Sequence, residues 1–331
     1  MCSISGIING NIKSLKVMVD SQSHRAPDEK GFYQSKNIFI GMGRLKIIDL
    51  KSKNLCPFED NDLVLSYNGE IYNYLELRQE LKKYNWKFKT SSDIEVLAKS
   101  WKQWGYKMFD RLNGMFAICI YDKKKNIILL ARDIAGEKPL YFFTNQNFIS
   151  FASDLKPISS LPNFKKEISL KALSEYLKLN YIPCPNTIYN NIFKIPPASY
   201  LEINLSEFKK KNFLNFEDLI NCQGIIYKKY WDIGNIEKKF DQLSLENNLD
   251  NILTESVSSQ LLSDASLGAF LSGGIDSSLI VSIASKQKSQ FETFTIGYDF
   301  DEYDESKNAS KIAKFLNTNH TTHICKKNDV I

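Results

Sequence analysis

Cys2, directly after the initiating Met1, is the residue whose position most suggests covalent chemistry. Its small side chain permits removal of Met1, which would leave the cysteine at the N-terminus. The freed α-amine has a reference pKa of about 8, so it is partly neutral at pH 7 and could take the proton of the thiol. Taken alone, Cys2 is more simply interpreted as a buried or incidental thiol. The chain has only three histidines and no GxSxG element, which argues against a Ser-His-Asp hydrolase.

A second segment with chemical potential is SGGIDSS at 272–278, which follows the apolar stretch Leu267–Leu271 and opens a helical pattern that runs to about Ser285. Two glycines allow close approach of the backbone, and the free N–H groups at the start of a helix attract anions such as phosphate. The segment lacks the lysine and the spacing of a P-loop. The simpler alternative is a strand-to-helix turn capped by Asp276 or Ser277.

The region that must position Cys2 is rich in short β runs. Five predicted strands lie within residues 1–150: Asn37–Ile48, Asp62–Tyr67, Met115–Tyr121, Asn126–Ala131 and Pro139–Thr144. Helices are predicted over Asn73–Lys83 and over Asp93–Tyr106, where Ile94, Leu97, Trp101 and Trp104 recur on one helical face. Many strands with few helices indicate an α+β domain of layered sheets and helices.

The region around the glycine segment has the pattern of a different fold. A helical pattern from Leu245 leads to a predicted buried strand, the glycine turn, a helix and a second strand, Phe291–Ile296. This order predicts the beginning of a parallel, doubly wound α/β sheet. The predicted boundaries are a first domain over 2–204, a polar linker over 205–244 and a partial second domain over 245–331.

Composition limits the classes of protein and partner. The 43 basic and 38 acidic residues are dispersed and give a net charge of +5. The short lysine runs at 123–125 and 209–211 are most simply interpreted as a hairpin tip and a solvated linker, so nucleic acid is not expected as a partner. The longest apolar runs are too short to span a membrane. Six cysteines without a CxxC pair, and no secretory signal, predict free thiols and a cytoplasmic location. A homodimer is compatible with the sequence.

Short motifs occur in a fixed order along nearly the whole chain. They are MCSISG (1–6), HRAPD (24–28), RLKIIDL (44–50), YNGEIYN (67–73), SSDIEV (91–96), LNGMFA (112–117), RDIAGEKPLYF (132–142), KIPPASYL (194–201), KYW (229–231), SGGIDSS (272–278), FTIGYD (294–299) and YDES (303–306). Their content and order resemble the glutamine-hydrolysing asparagine synthetases, and SGGIDSS resembles the pyrophosphate loop of the ATP pyrophosphatases. The resemblance implies an N-terminal-nucleophile glutaminase domain with four αββα layers, followed by the beginning of an adenine nucleotide α-hydrolase-like domain.

The resemblance also implies a role for each matching residue of the first region. Cys2 would be the nucleophile, and Asn68 and the Gly69 N–H would bind the oxyanion of the tetrahedral intermediate. Arg44 would bind the α-carboxylate of glutamine and Asp93 its α-ammonium, and Asn68 and Glu70 would complete the glutamine site. The alternatives are a surface ion pair for Arg44, a helix N-cap for Asp93 and a hairpin turn at Asn68-Gly69.

In the second region the resemblance implies a site for ATP and Mg²⁺. The residues that would bind ATP are Leu271, Ser272, Gly273, Gly274, Asp276, Ser277 and Ile296, with Asp276 helping to place Mg²⁺. The implied reaction activates aspartate as an acyl-adenylate, which ammonia from glutamine attacks after passing through an internal tunnel. Asparagine, AMP and pyrophosphate are the implied products, and glutamine, aspartate and ATP the small-molecule partners.

Three residues and the end of the chain depart from the family pattern. Ser3, Ala26 and Ala198 stand where glycine is common, and an alanine with positive φ would cost about 1 kcal/mol or more. The SGEGxDE and RxPFLD motifs of full-length members do not occur before Ile331, from which we expect a complete glutaminase and an incomplete, truncated synthetase. The alternatives are an amidotransferase for another carboxylate, such as a sugar in surface-polysaccharide synthesis, and a non-catalytic remnant that binds glutamine, nucleotide or a partner subunit.

Overall fold

The computed structural model describes residues 1–53, 55–162, 164–209, 211–234, 242–300, 304–326 and 329, with backbone alone for 242–247. Tyr303 of the YDES motif lies outside these ranges. The chain divides into two compact units, Met1–Gly234 and Asn235–Ile331. Within the described ranges, no helix combines the length and the apolar character needed to cross a membrane.

The first unit contains most of the strands. In chain order its elements are β1 (Ser3–Ile8), α1 (Ile12–Asp20), β2 (Glu29–Ser35), β3 (Ile38–Arg44), β4 (Phe58–Asp60), β5 (Leu63–Ile71), α2 (Tyr74–Lys83), α3 (Asp93–Trp104), a 3-10 turn (Gly105–Met108), β6 (Gly114–Asp122), β7 (Ile127–Arg132), β8 (Tyr141–Thr144), β9 (Ile149–Ala152), α4 (Leu155–Ser159), α5 (Leu170–Leu179), β10 (Ile192–Lys194), β11 (Ser199–Asn204), α6 (Phe216–Ile220) and β12 (Ile225–Lys229).

These strands form two six-stranded antiparallel sheets, ordered β10-β8-β9-β1-β3-β2 and β12-β11-β7-β6-β5-β4. Side chains alternate between the faces of each strand. On β1, Ile4 and Ile8 therefore join the core between the sheets, whereas Ile7 packs with Leu15 and Met18 of α1. Helices α1 and α4 cover the first sheet, and α3 packs on the second with α2 beside it. This is the four-layer αββα arrangement predicted for the N-terminal-nucleophile fold.

The predicted strands and helices of the first 150 residues are confirmed, with shifted ends. The shift that bears on the site is in β5, which was expected to end at Tyr67 and instead continues to Ile71. Asn68 and Gly69 therefore lie inside a strand, paired with Ala117 and Phe116 of β6. The hairpin-turn interpretation of Asn68-Gly69 is wrong because backbone pairing to β6 outweighs the local turn preference of the dipeptide.

The predicted linker over 205–244 is corrected by the structure, since residues up to 234 belong to the first unit. Strand β12 pairs with β11 at the sheet edge, and Phe213, Leu219 and Ile225 are buried in the core. This segment is polar because it forms an edge strand and a short helix that face solvent. Its few apolar residues are spaced too irregularly to predict either element from the sequence. Residues 235–241 of the predicted linker lie outside the described residues.

The second unit has the β-α-β order predicted from the sequence. Its described elements are α7 (Gln242–Gln260), β13 (Gly268–Phe270), α8 (Ile275–Gln287), β14 (Glu292–Tyr298), α9 (Ser306–Phe315) and β15 (Asn319–Cys325), and the sheet is parallel in the order β13-β14-β15. Leu271, Val281, Ala309 and Ala313 form the core on one face. Phe270 is 78% exposed, so the strand expected to be buried is covered on one face alone.

One of the departures from glycine carries backbone strain. Ala198 has a φ of +54°, whereas Ala26 is not among the residues with positive φ. We expect Ala198→Gly to stabilise the first unit by about 1 kcal/mol, because glycine adopts this conformation without a Cβ clash. Ala26→Gly is the matched control and should destabilise, since that buried methyl group packs without backbone strain. Equal effects of the two variants on chemical unfolding would contradict this expectation.

Candidate active site

Cys2 lies one residue before β1, with its sulfur against the backbone of Leu45. The Leu45 N–H donates to Cys2 Sγ over 3.4 Å, and the Leu45 carbonyl accepts from the thiol over 3.6 Å. Burial raises the pKa of the Cys2 thiol, and the hydrogen bond with Leu45 partly offsets that effect. A thiol that ionises reluctantly needs a nearby base before it can attack a carbonyl carbon.

Arg25 and Lys138 both lie beside Met1, the residue that precedes Cys2. The Met1 α-ammonium donates to the Arg25 carbonyl at 2.9 Å, and the Met1 sulfur lies 3.5 Å from Lys138 Nζ. Burial lowers the pKa of this amine, Cys2 raises it, and Arg25 and Lys138 lower it. Met1 is 51% exposed. The N-terminus of the folded chain therefore lies where a neutral amine is favoured.

A small pocket, with a cavity volume of about 30 Å³, opens beside Cys2. Residues from β3, the loop after it, β5 and the start of α3 form its wall. The lining residues are Cys2, Met42, Arg44, Leu45, Ile47, Ile48, Leu55, Tyr67, Gly69, Glu70, Ser92, Asp93 and Ile94. The structure thus brings together the residues assigned to catalysis and glutamine binding, except for Asn68, which does not line the pocket.

Arg44 ends β3 and is fixed by backbone oxygens. Its Nη2 donates to the carbonyls of Ile48 and Asp49 over 2.8 and 2.9 Å. Nη1 lies 3.5 Å from a carboxylate oxygen of Glu29. The residue is 5% exposed, so the interpretation as a surface ion pair is wrong. The two carbonyls fix Nη2 without offsetting its charge, and Glu29 offsets part of the charge at Nη1; the oriented guanidinium is suited to bind a carboxylate in the pocket.

Asp93 provides the opposite charge in the same pocket. Its Oδ2 accepts from the Tyr67 hydroxyl at 2.9 Å and from the Ile71 N–H at 3.3 Å. The N-cap of α3 is Ser92, whose hydroxyl accepts from the Ile94 N–H. The N-cap interpretation of Asp93 is therefore wrong. Burial raises the pKa of Asp93, and the bonds from Tyr67 and Ile71 counteract that rise, so these donors favour the ionised form.

Asn68 and Gly69 lie on β5 where it passes the pocket. Asn68 is fully buried, and neither its Oδ1 nor its Nδ2 has a hydrogen-bond partner among the described residues. An orphan buried amide costs about 1–3 kcal/mol, so such groups usually serve a bound molecule or water. A Cβ on Gly69 would lie 2.0 Å from the Met115 carbonyl oxygen. Glycine is therefore required for the close approach of β5 and β6.

Glu70 faces the pocket beside Asp93. Burial and the Asp93 charge raise the pKa of Glu70 from 4.5 to about 7, and Lys138 acts in the opposite direction. The unfolded chain releases this proton at lower pH than the folded chain. The free energy of unfolding is thus expected to fall as pH rises through the window between 4.5 and about 7.

Glu70→Gln should remove this pH dependence. We expect the variant to be more stable than the parent chain by about 2 kcal/mol at pH 8 and nearly equal to it at pH 4.5. Thermal unfolding at the two pH values measures the difference. Glu76→Gln, on the exposed first turn of α2, is the control. An identical change in melting temperature at both pH values would contradict the assignment.

Three residues around the site were not singled out from the sequence. Tyr67 binds Asp93, Arg25 approaches the N-terminus, and Lys138 is buried beside Met1. All three lie within matched motifs, YNGEIYN, HRAPD and RDIAGEKPLYF. The motifs therefore contain these residues, but a motif match alone does not separate residues that face the pocket from residues that support the fold.

The glycine segment of the second unit joins β13 to α8. Gly273 has a φ of +86°, and a Cβ there would lie 3.0 Å from the Ala309 backbone nitrogen. The hydroxyls of Ser272 and Ser277 are 3.0 Å apart. Gly274 is the N-cap of α8, with no side-chain cap from the described residues. The alternative of a turn capped by Asp276 or Ser277 is therefore wrong, and the first N–H groups of α8 are free of side-chain caps.

The remaining predicted ATP and metal residues lie around this loop. Leu271 is buried beneath α8 and α9, whereas Ile296 is half-exposed on the opposite face of the sheet. Asp276 is exposed on the first turn of α8. Within the described part of the chain, no group of three or more His, Cys, Asp or Glu side chains could hold a metal ion. A single carboxylate still fits Mg²⁺, which commonly takes one or two carboxylates together with phosphate oxygens and water.

Comparison with known proteins defines the class first. The family model described as a glutamine amidotransferase domain matches residues 1–214, and the one described as asparagine synthase matches residues 248–331. A solved structure, that of the allosteric regulatory enzyme of purine biosynthesis, has a TM-score of 0.50 at 14% identity and covers 98% of this chain and 80% of its own. The fold and the first match define an N-terminal-nucleophile glutamine amidotransferase domain.

Two curated relatives specify the family. A Methanocaldococcus jannaschii protein, provisionally named asparagine synthetase 2 (glutamine-hydrolysing), is 32% identical over 99% of this chain and 66% of its own length. The Bacillus subtilis asparagine synthetase 1 (glutamine-hydrolysing) is 31% identical over 93% of this chain and 48% of its own length. The chain belongs to the glutamine-hydrolysing asparagine synthetase family. It spans about half to two thirds of the length of these two relatives.

Proposed function

We propose that this chain hydrolyses glutamine at Cys2 and that the ammonia serves an ATP-dependent amidation. The observation that carries the proposal is the single pocket in which Cys2, Arg44, Gly69, Glu70 and Asp93 meet. Arg44 offers a fixed fork of donors for the α-carboxylate of an amino acid, and Asp93 offers an anion for its α-ammonium. Binding both groups on the α-carbon fixes that end of glutamine, so that the side-chain carboxamide at the other end is directed toward the Cys2 sulfur.

The chemical step begins once Met1 is removed. The neutral α-amine of Cys2 takes the thiol proton, and the thiolate attacks the carboxamide carbon of glutamine. The resulting oxyanion accepts hydrogen bonds from the Gly69 N–H and the side-chain amide of Asn68. The protonated amine then gives its proton to the leaving nitrogen, which departs as ammonia. Water hydrolyses the thioester to glutamate and regenerates the thiol.

The orphan amide of Asn68 supports this assignment, because its Nδ2 lacks a partner among the described residues. Asn68 lies next to Gly69, which does line the pocket. An amide that gains a partner only when an oxyanion forms would stabilise the intermediate more than the bound substrate, as catalysis requires.

The second half of the proposal concerns ATP and the acceptor. The loop of Ser272, Gly273, Gly274 and Ser277, which follows Leu271, would bind the phosphates, with Ile296 near the base and Asp276 helping to hold Mg²⁺. Bound Mg²⁺ would offset phosphate charge. The names of the relatives support aspartate as the acceptor and asparagine as the product. Calorimetric titration with ATP, with and without Mg²⁺, tests this half, and no heat of binding in either condition would contradict it.

The experiment that tests the glutaminase proposal controls exposure of the N-terminus. A fusion can be designed so that a protease releases the chain with Cys2 as its first residue. We expect no glutamate release from glutamine before cleavage and steady release afterwards, because only the cleaved chain has the α-amine base. Mass spectrometry of the N-terminal peptide confirms the start residue.

A matched fusion that leaves one extra glycine before Cys2 is the control. It undergoes the same cleavage and retains the thiol, but its amine is displaced by one residue. Comparable glutaminase activity in this chain, or in the uncleaved fusion, would contradict the proposed role of the α-amine.

A further inference from the structure

Lys138 is a buried cation beside the N-terminus to which no role has yet been given. Its side chain is 7% exposed overall. Its Nζ lies 3.5 Å from Met1 Sδ, and Arg25 Nη2 lies 3.9 Å from the same atom. Both cations therefore lie beside Met1, the residue whose removal exposes the α-amine of Cys2, and both lower the pKa of the present N-terminal amine.

The backbone around Lys138 is held by its neighbours Arg132 and Asp133. Arg132 Nε donates to the Lys138 carbonyl at 2.7 Å, and the Lys138 N–H donates to Asp133 Oδ2 at 3.0 Å. The same Asp133 oxygen accepts from the Phe116 N–H on β6 at 3.1 Å. These hydrogen bonds connect the backbone of Lys138 to the sheet that contains β6, so the fold fixes the segment that carries the Lys138 ammonium.

The charged groups facing the N-terminus come from several elements. Arg25 and Asp28 lie in the segment after α1, and Lys138 lies between β7 and β8. Glu137, Asp133 and the Cys2 thiol favour the charged form of Lys138, whereas burial, the largest effect, and Arg25 lower its pKa. Glu70 of β5 interacts with Lys138 and with Asp93 of α3, and Arg44 of β3 interacts with Cys2.

We propose that Lys138 is a positioning residue of the glutaminase reaction, whose fixed positive charge keeps the α-amine of processed Cys2 in its neutral, proton-accepting form. A second positive charge beside a buried ammonium is unfavourable, and this repulsion is stronger in a partly dehydrated site than in water. The inference rests on the proposed function, because it concerns the amine that serves as base there. Lys138 contacts neither the thiol nor the glutamine carboxamide in this role.

The first test is the pH profile of kcat/KM for glutamine in chains released with Cys2 first. In Lys138→Met we expect the acid limb to move up by about one pH unit, which lowers the rate about tenfold at pH 6. The rates should converge with the parent above about pH 9, where the amine is neutral in both chains. Lys138→Arg should keep the parent profile. An unmoved limb, or a loss equal at every pH, would overturn the inference.

The second test does not need activity. In the Cys2→Ser background, acetic anhydride modifies the α-amine in its neutral form, and mass spectrometry of the N-terminal peptide follows the rate against pH. Adding Lys138→Met should raise the midpoint by about one unit. If the parent chain had no glutaminase activity but Lys138→Met still shifted the midpoint, the proposed function would be contradicted and the effect of Lys138 on the amine supported. An unshifted midpoint beside normal glutaminase activity in the parent would do the reverse.

Discussion

Cys2→Ala is expected to lower glutamine hydrolysis by about four orders of magnitude or more, since it removes the only group that can form the thioester. Among the residues that the structure describes, the sulfur makes its hydrogen bonds with Leu45 alone, so the fold should survive the change. Glutamate release in single-turnover and steady-state assays measures the loss. Circular dichroism and a thermal melt establish that the variant is folded.

Cys184→Ala is the matched control for that variant. Cys184 is an exposed free cysteine outside the pocket lining, so its loss should leave the rate unchanged. If Cys2→Ala retained the parent rate, or if both variants lost activity together, the nucleophile would have to be sought elsewhere.

Asp93→Asn should reduce kcat/KM for glutamine by roughly two to three orders of magnitude, the effect of removing one partner of a buried charge pair. Asparagine can still accept the hydrogen bonds of Tyr67 and Ile71 through its oxygen, so the local structure should be kept. The loss should be expressed mainly in KM, because the α-ammonium is bound equally in the substrate and in the transition state.

The control for Asp93 is a change of substrate. A glutamine analogue without the α-amino group should be a poor substrate of the parent chain, and Asp93→Asn should turn over the two compounds at similar kcat/KM. A variant that still discriminates between them as strongly as the parent would show that Asp93 does not bind the ammonium.

Much of the site was predictable because its residues lie in short motifs with local meaning. The stripe of Ile94, Leu97 and Trp101 indicated α3, and the preceding Ser92 and Asp93 placed a carboxylate at its start. β3 and β5 were also recognisable from their apolar runs, although their ends were not. Strand ends depend on pairing with distant strands, as the continuation of β5 past Asn68 along β6 shows.

Other features depended on contacts between distant parts of the chain. Burial of Arg44 arises from the loop that folds back to offer the carbonyls of Ile48 and Asp49. The position of Lys138 near residue 1 requires the two sheets to assemble, which no local pattern encodes. The sequence did not place β12 in the first unit for the same reason. Its pairing with β11 determines that placement, and the composition of β12 does not indicate it.

The most direct test of the central claim is to trap the nucleophile. Chain released with Cys2 first would be treated with a diazoketone analogue of glutamine, which alkylates a thiolate in the glutamine site with loss of N₂, and its peptides analysed by mass spectrometry. We predict one adduct per chain, on the Cys2 sulfur, formed more slowly in the presence of excess glutamine and absent after Cys2→Ala. Labelling of another cysteine, or labelling that glutamine does not slow, would contradict the account.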